Sequence, residues 1–110
     1  MTSYSAYLRG VNFRPEAARI VAKTLEEGHT LALQREPSNP HDTNAIQVIE
    51  PHSGQFIGYV AKEIAGGGLA DDLDSGRMFD CTVESNINGN ITLSIEEVEG
   101  DELVDETDAP

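Results

Sequence analysis

Leu33-Gln34-Arg35-Glu36-Pro37-Ser38-Asn39-Pro40-His41-Asp42-Thr43-Asn44-Ala45-Ile46-Gln47-Val48 joins two apolar-patterned segments through a pair of prolines. Proline fixes φ and lacks a backbone donor, so no strand runs through this stretch and a loop is enforced. Ahead of it, Leu31, Leu33 and Arg35 alternate with Ala32 and Gln34; behind it, Ala45, Ile46, Val48 and Ile49 resume an apolar run. Both flanks read as strands. Asn39, Asp42 and Asn44 place short amide and carboxylate groups at the junction, where the prolines leave little entropy to lose. Two uses are open to them: capping nearby backbone N–H groups, or facing a ligand.

Working outward, Phe56, Ile57, Tyr59 and Val60 follow the turn formers Pro51 to Gly54 and complete a hairpin. Residues 4–13, with Tyr4, Ala6, Tyr7, Leu8, Val11 and Phe13, predict a first strand. Pro15 then opens an amphipathic helix carrying Ala17, Ile20, Val21, Thr24 and Leu25 on one face, with Gly28 as its stop. A second helix is expected over Lys62 to Leu73, loosened by Gly66, Gly67 and Gly68. Segments 78–87 and 90–98 flank Asn88-Gly89, the dipeptide suited to the two positive φ angles of a type I′ hairpin.

Strand, helix, three strands, helix and two strands do not follow a βαβ alternation. Six short, mostly antiparallel strands hide their edges best by closing. The expected class is mainly β with two helices (α+β), a small six-stranded β-barrel whose openings the helices cap. One barrel domain is assigned to residues 1–98, and a disordered acidic tail to 99–110, where ordering entropy outweighs what few apolar residues can bury.

The net charge is −13, but it is unevenly spread. From Glu96 onward there are eight acidic residues and no basic one, whereas Arg9, Arg14, Arg19, Lys23 and Arg35 make the segment between positions 9 and 35 locally positive. A strongly negative protein repels phosphate; a local basic segment relieves that objection. Cys81 is the single cysteine and reads as a buried small hydrophobe, so no internal disulfide forms. With neither a secretion signal nor a membrane-length apolar run, the expectation is a cytoplasmic monomer.

The central stretch resembles the HIRAN domain signature, in which a strand ending Leu-x-Arg-Glu/Asp-Pro is followed by Asn-Pro-aromatic-Asp and then Ala-Ile-x-Val. Gly10 with Phe13, Ile57-Gly58-Tyr59-Val60 and Lys62-Glu63-Ile64-Ala65 fall in the order that family shows. The resemblance covers about positions 8 to 85 and implies an OB-like or SH3-like barrel that binds single-stranded DNA at 3′-hydroxyl ends, beside separate helicases or nucleases. It assigns DNA contacts to Asn12, Phe13, Arg14, Arg35, Asn39, His41, Asp42, Tyr59 and Lys62. In that reading Asp42 accepts the hydrogen of a terminal hydroxyl and Asn39 donates an amide hydrogen. Phe13 and Tyr59 stack on bases, and Arg14 and Lys62 meet phosphates. Turn 36–44 and the aromatic residues 13 and 59 are expected to share one pocket. His41 stands where the family carries an aromatic residue, and Arg14 where a second one follows Phe13.

Other chemistries find no support. His29, His41, His52 and Cys81 are too dispersed for a local metal-ligand pair, so no metal or cofactor is expected. Gly66 to Gly68 lacks the lysine and hydroxyl residue of a P-loop, and Asp71, Asp72 and Asp74 read as a solvated helix end. No nucleophile elbow or triad spacing occurs, so no enzyme is expected. The competing function is an acidic module, or nucleic-acid mimic, that engages a basic protein partner.

Overall fold

The computed structural model describes residues 1–99; the tail expected over 99–110 falls outside them except for Glu99. Six strands, β1 (Ser3–Arg9), β2 (Thr30–Arg35), β3 (Ile46–Glu50), β4 (Gln55–Val60), β5 (Met78–Ile87) and β6 (Asn90–Val98), close into a barrel in the order β1-β4-β3-β2-β5-β6. Every pairing is antiparallel. Alternation turns Leu93, Ile95, Val83 and Cys81 inward, where they meet Ile46, Val48 and Ile57 at the fully buried centre. Asn88 and Gly89 both take positive φ, 55° and 86°, between β5 and β6.

Register irregularities bend two of the pairs, between Val48 and Ile49 in β3 and between Val83 and Ser85 in β5. Such bulges sharpen local twist and help a small sheet curl. Gly58 shows how close the closure is. A Cβ placed there would sit 2.6 Å from the Arg9 carbonyl oxygen, so only glycine lets β4 lie against β1 at this point.

Three boundaries differ from those the sequence predicts. β1 stops at Arg9 because Gly10 adopts φ 79°, and the chain passes into a 3₁₀ turn (Val11–Phe13) instead of continuing as strand. Helix α1 (Glu16–Lys23) ends at Thr24, whose hydroxyl bonds the Val21 carbonyl at 2.8 Å. Glu26 and Glu27 would oppose the negative end of the helix dipole, and Gly28 instead donates its N–H to Val83 of β5 at 2.8 Å. The second helical segment is broken into α2 (Lys62–Ile64), a π-helical stretch (Ala65–Leu69) and α3 (Ala70–Asp74), with Gly68 at φ 134°. Its glycine run loosens it as expected.

Of the face expected for this helix, Leu25 is buried and Val21 half-buried, but Ala17, Ile20 and Thr24 are exposed; buried Ala18 and Ala22 give α1 a flat inner face instead, and the helix packs over β4. Another seam is tied by Arg77, whose guanidinium reaches Asp72, Glu97 and the Thr2 hydroxyl at 2.6–2.9 Å.

Candidate functional site

Glu36, the first residue after β2, organises the proline-braced turn. Its Oε1 accepts hydrogen bonds from the Asn39 amide at 2.5 Å and the Tyr59 hydroxyl at 2.8 Å, while Oε2 accepts from the Gln47 amide. The register explains the gathering, since Gln47 of β3 and Tyr59 of β4 are cross-strand partners. These donors, Asn39 foremost and then Tyr59, hold the Glu36 carboxyl below its usual range. Burial, followed by the Glu36 carboxylate, pushes the Tyr59 phenol up.

The rest of the turn is locally capped. Asn39 Oδ1 accepts the N–H groups of His41 and Asp42 at 2.8 and 3.1 Å, and Asp42 Oδ1 accepts that of Asn44 at 2.9 Å. Asn39 therefore braces Glu36 to the turn backbone. Asp42 differs, because its Oδ2 receives no hydrogen bond from the described residues.

A recess of about 500 Å³ opens between this turn, the end of β1 and the start of α2. Asn39, His41 and Asp42 come from the turn, Tyr59 from β4, Lys62 from α2, and Arg9 and Gly10 from the opposite wall. Five of the sequence-assigned residues thus meet at one place. Gly10 turns the chain directly against Tyr59, where an added Cβ would lie 3.9 Å from the ring.

Phe13 and Asn12 are not among them. The reversal at Gly10 carries both into a second recess of about 560 Å³, bounded by α1 and the tip of the β5–β6 hairpin. Arg9 and Gly10 form the wall common to both recesses. The single pocket expected for positions 13, 59 and 36–44 is instead two adjoining ones, with Phe13, 90% exposed, beyond the divide.

Arg14 and Arg35 line neither recess. Arg14 donates its Nε–H to the Phe56 carbonyl at 2.8 Å and stacks 3.8 Å from the centre of that ring, which meets Tyr59 edge to face. Arg35 forms two hydrogen bonds with the Asp74 carboxylate and two with the carbonyls of Thr43 and Ala45, at 2.7–3.1 Å. Both arginines hold the site's framework. Arg9 and Glu36 are the residues sequence reasoning missed: Arg9 stands beside the marked Gly10, and Glu36 inside the marked turn. Among the described residues, no group of three His, Cys, Asp or Glu side chains is arranged to hold a metal ion. Nor is any described helix long and apolar enough to cross a membrane.

Comparison with known proteins agrees with this architecture. Helicase-like transcription factor from Oryctolagus cuniculus is 43% identical over 47 residues, a match covering 43% of this chain and only 5% of that protein. Among solved structures, the HIRAN domain of human HLTF superposes with a TM-score of 0.68 at 25% identity, covering 86% of this chain and 74% of that one. A Lactobacillus plantarum protein gives a TM-score of 0.75 at 22% identity, covering 87% and 95% of the two chains. The HLTF HIRAN domain in its DNA-bound conformation gives 0.61 at 22% identity, covering 96% and 83%. The last two speak to fold alone. The family model described as the HIRAN domain matches residues 1–94, spanning all but the last strand's end; with the closed six-stranded barrel and its signature turn, this chain belongs to the HIRAN domain family.

Proposed function

We propose that the first recess binds single-stranded DNA and receives its 3′-hydroxyl end, without catalysis. Support comes from membership of a family in which the HLTF domain has a DNA-bound structure, and from the recess itself. The observation that carries the reading is the Asp42 carboxylate, fixed through Oδ1 by the Asn44 N–H, with Oδ2 receiving no hydrogen bond from the described residues, in the recess that Lys62 also lines. A terminal hydroxyl donates a hydrogen bond to such an oxygen, whereas a terminal phosphate brings only like charge. Tyr59 and His41 offer ring faces to a base, and Lys62 offers charge to the adjoining phosphate.

In this reading the protein is a monomeric cytoplasmic end-reader at repair or stalled-replication intermediates, acting beside separate helicases or nucleases. Fluorescence anisotropy with paired oligonucleotides tests it. A 3′-hydroxyl strand should bind more tightly than its 3′-phosphate twin, and Asp42→Ala should abolish the difference; equal binding of the two strands to the unmodified protein removes end recognition.

The net charge of −13 favours a second reading, an acidic module for a basic protein partner. Truncation separates the two, and it must begin at residue 100, because Glu97 accepts hydrogen bonds from Arg77 and from the Thr2 N–H. A DNA binder should keep or gain oligonucleotide affinity on losing residues 100–110; an acidic mimic should lose affinity for a basic protein.

A further inference from the structure

The chain has seven lysines and arginines, and the structure sorts them into two groups. Arg35 and Arg77 are tied to Asp74, Asp72 and Glu97, and Arg14 is stacked on Phe56. Arg9, Arg19, Lys23 and Lys62 make no ion pair among the described residues, although Arg9 lies over the Tyr7 ring at 5.0 Å. All four line one or both of the adjoining recesses. In a chain this acidic, its available positive charge is gathered along one continuous surface.

The end-binding reading uses only Lys62 and the shared Arg9. Arg19 and Lys23 stand one helical turn apart, both exposed and each following one of the buried alanines Ala18 and Ala22, about 6 Å along the axis. Like charges at this spacing oppose one another slightly, while Lys23 in the last turn suits the helix dipole. Their separation is comparable with the repeat between successive phosphates of an extended strand. Phe13 lies in the same recess and is 90% exposed, a position from which the barrel core gains nothing. Glu16 is the one acidic residue lining this second recess, whereas Asp42 and Glu63 line the first.

We infer that the second recess is a backbone-tracking subsite, in which Arg19 and Lys23 hold successive phosphates of a single DNA strand while Phe13 stacks on one of its bases. This rests on the end-binding reading and extends it: the terminal nucleotide occupies the first recess, the strand crosses the Arg9–Gly10 wall, and the following nucleotides run along α1. Charge complementarity selects a polyanion, and the exposed aromatic ring selects one that carries bases.

The test is anisotropy on the full chain with a thymidine dinucleotide and decanucleotide, each with a free 3′-hydroxyl, across a salt series. The unmodified protein should bind the decanucleotide more tightly. In the Arg19→Ala/Lys23→Ala variant that gain should shrink about ten-fold, and the slope of log affinity against log salt should fall by about 1.4, at about 0.7 for each phosphate no longer neutralised. Arg19→Lys/Lys23→Arg should retain both. Alanine is the best helix former, and circular dichroism should show the fold intact. An unchanged gain and salt slope in the double alanine variant would overturn the subsite while leaving the first recess standing. A polyglutamate peptide that competes as well as the decanucleotide would overturn it in favour of a protein partner. If neither oligonucleotide binds the unmodified protein, the first reading falls and takes this one with it.

Discussion

Glu36 and Glu50 occupy equivalent places, each at the end of a strand and each followed at once by a proline, yet they serve different ends. Glu36 gathers side chains, those of Asn39, Gln47 and Tyr59, from three parts of the sequence. Glu50 gathers chiefly the turn beside it: the N–H groups of His52 and Ser53 at 3.0 and 2.7 Å, with His29 at 3.0 Å completing its set. A carboxylate satisfied mainly by backbone donors closes a hairpin. One satisfied by side chains from different strands fixes the wall of a recess. The same residue type thus supports stability in one turn and preorganisation in the other, and what separates them is where the donors come from.

Substitution at the structural end of the comparison should give the largest effect. Glu50 is 3% exposed, and Glu50→Ala removes several hydrogen bonds to a charged group, each net contribution being about 1.5–3 kcal/mol. With the shared turn partly able to turn to water, we expect a loss of about 2 kcal/mol, a fall in Tm of about 10 °C, and no change in oligonucleotide affinity while the protein stays folded. Differential scanning calorimetry and anisotropy on the same preparation check both halves. An affinity loss matching that of the Glu36 variant would erase the distinction.

Glu36→Ala should reverse the pattern, costing about 1 kcal/mol of stability but weakening oligonucleotide binding about ten-fold, because Asn39 and Tyr59 lose their common anchor. Tyr59→Phe keeps the ring and removes one of the three donors, so binding should weaken only about two- to three-fold. If both variants bind as tightly as the parent, the network is not what shapes the recess.

The prediction sharpest in sign is that of pH. Ser53 first and His29 second hold the Glu50 carboxyl down at about 2, against an ordinary value of 4.5. A depressed carboxylate contributes stability that is fully present above the unfolded value and is lost as pH falls toward the folded one. Melting temperature should therefore be level with respect to Glu50 above about pH 5 and decline between 4.5 and 2. Glu50→Gln should flatten that decline more than Glu36→Gln, whose carboxyl is lowered too. Part of the slope should survive in both, since Arg77 also holds Glu97 at about 2.

The barrel is legible in the sequence wherever a local rule carries the information. Alternation around the Pro37–Pro40 loop gives β2 and β3, and Asn88-Gly89 gives the β5–β6 turn with its two positive φ angles. Cys81, read as a small hydrophobe, is buried at 1% exposure with its thiol pushed up to about 12 by desolvation. Resemblance to the family identifies the turn and Tyr59 as one site. What stays hidden depends on tertiary register. Glu36 acquires its role only because β3 and β4 align Gln47 with Tyr59. The pairing of Arg35 with Asp74, 39 residues away, is not signalled by any local rule. Phe13 reads as a continuation of β1 until Gly10 adopts a left-handed conformation that apolar periodicity does not register. The two recesses follow from that one backbone reversal.

A backbone amide titration by ¹⁵N–¹H NMR with a short 3′-hydroxyl oligonucleotide tests the central claim most directly. Binding in the first recess predicts the largest shift changes at Gly10, His41, Asp42, Tyr59 and Lys62, with His52 and Ser53 in the Glu50 turn unmoved. Saturation that leaves residues 36–44 and Tyr59 unshifted, while another face responds, would contradict it.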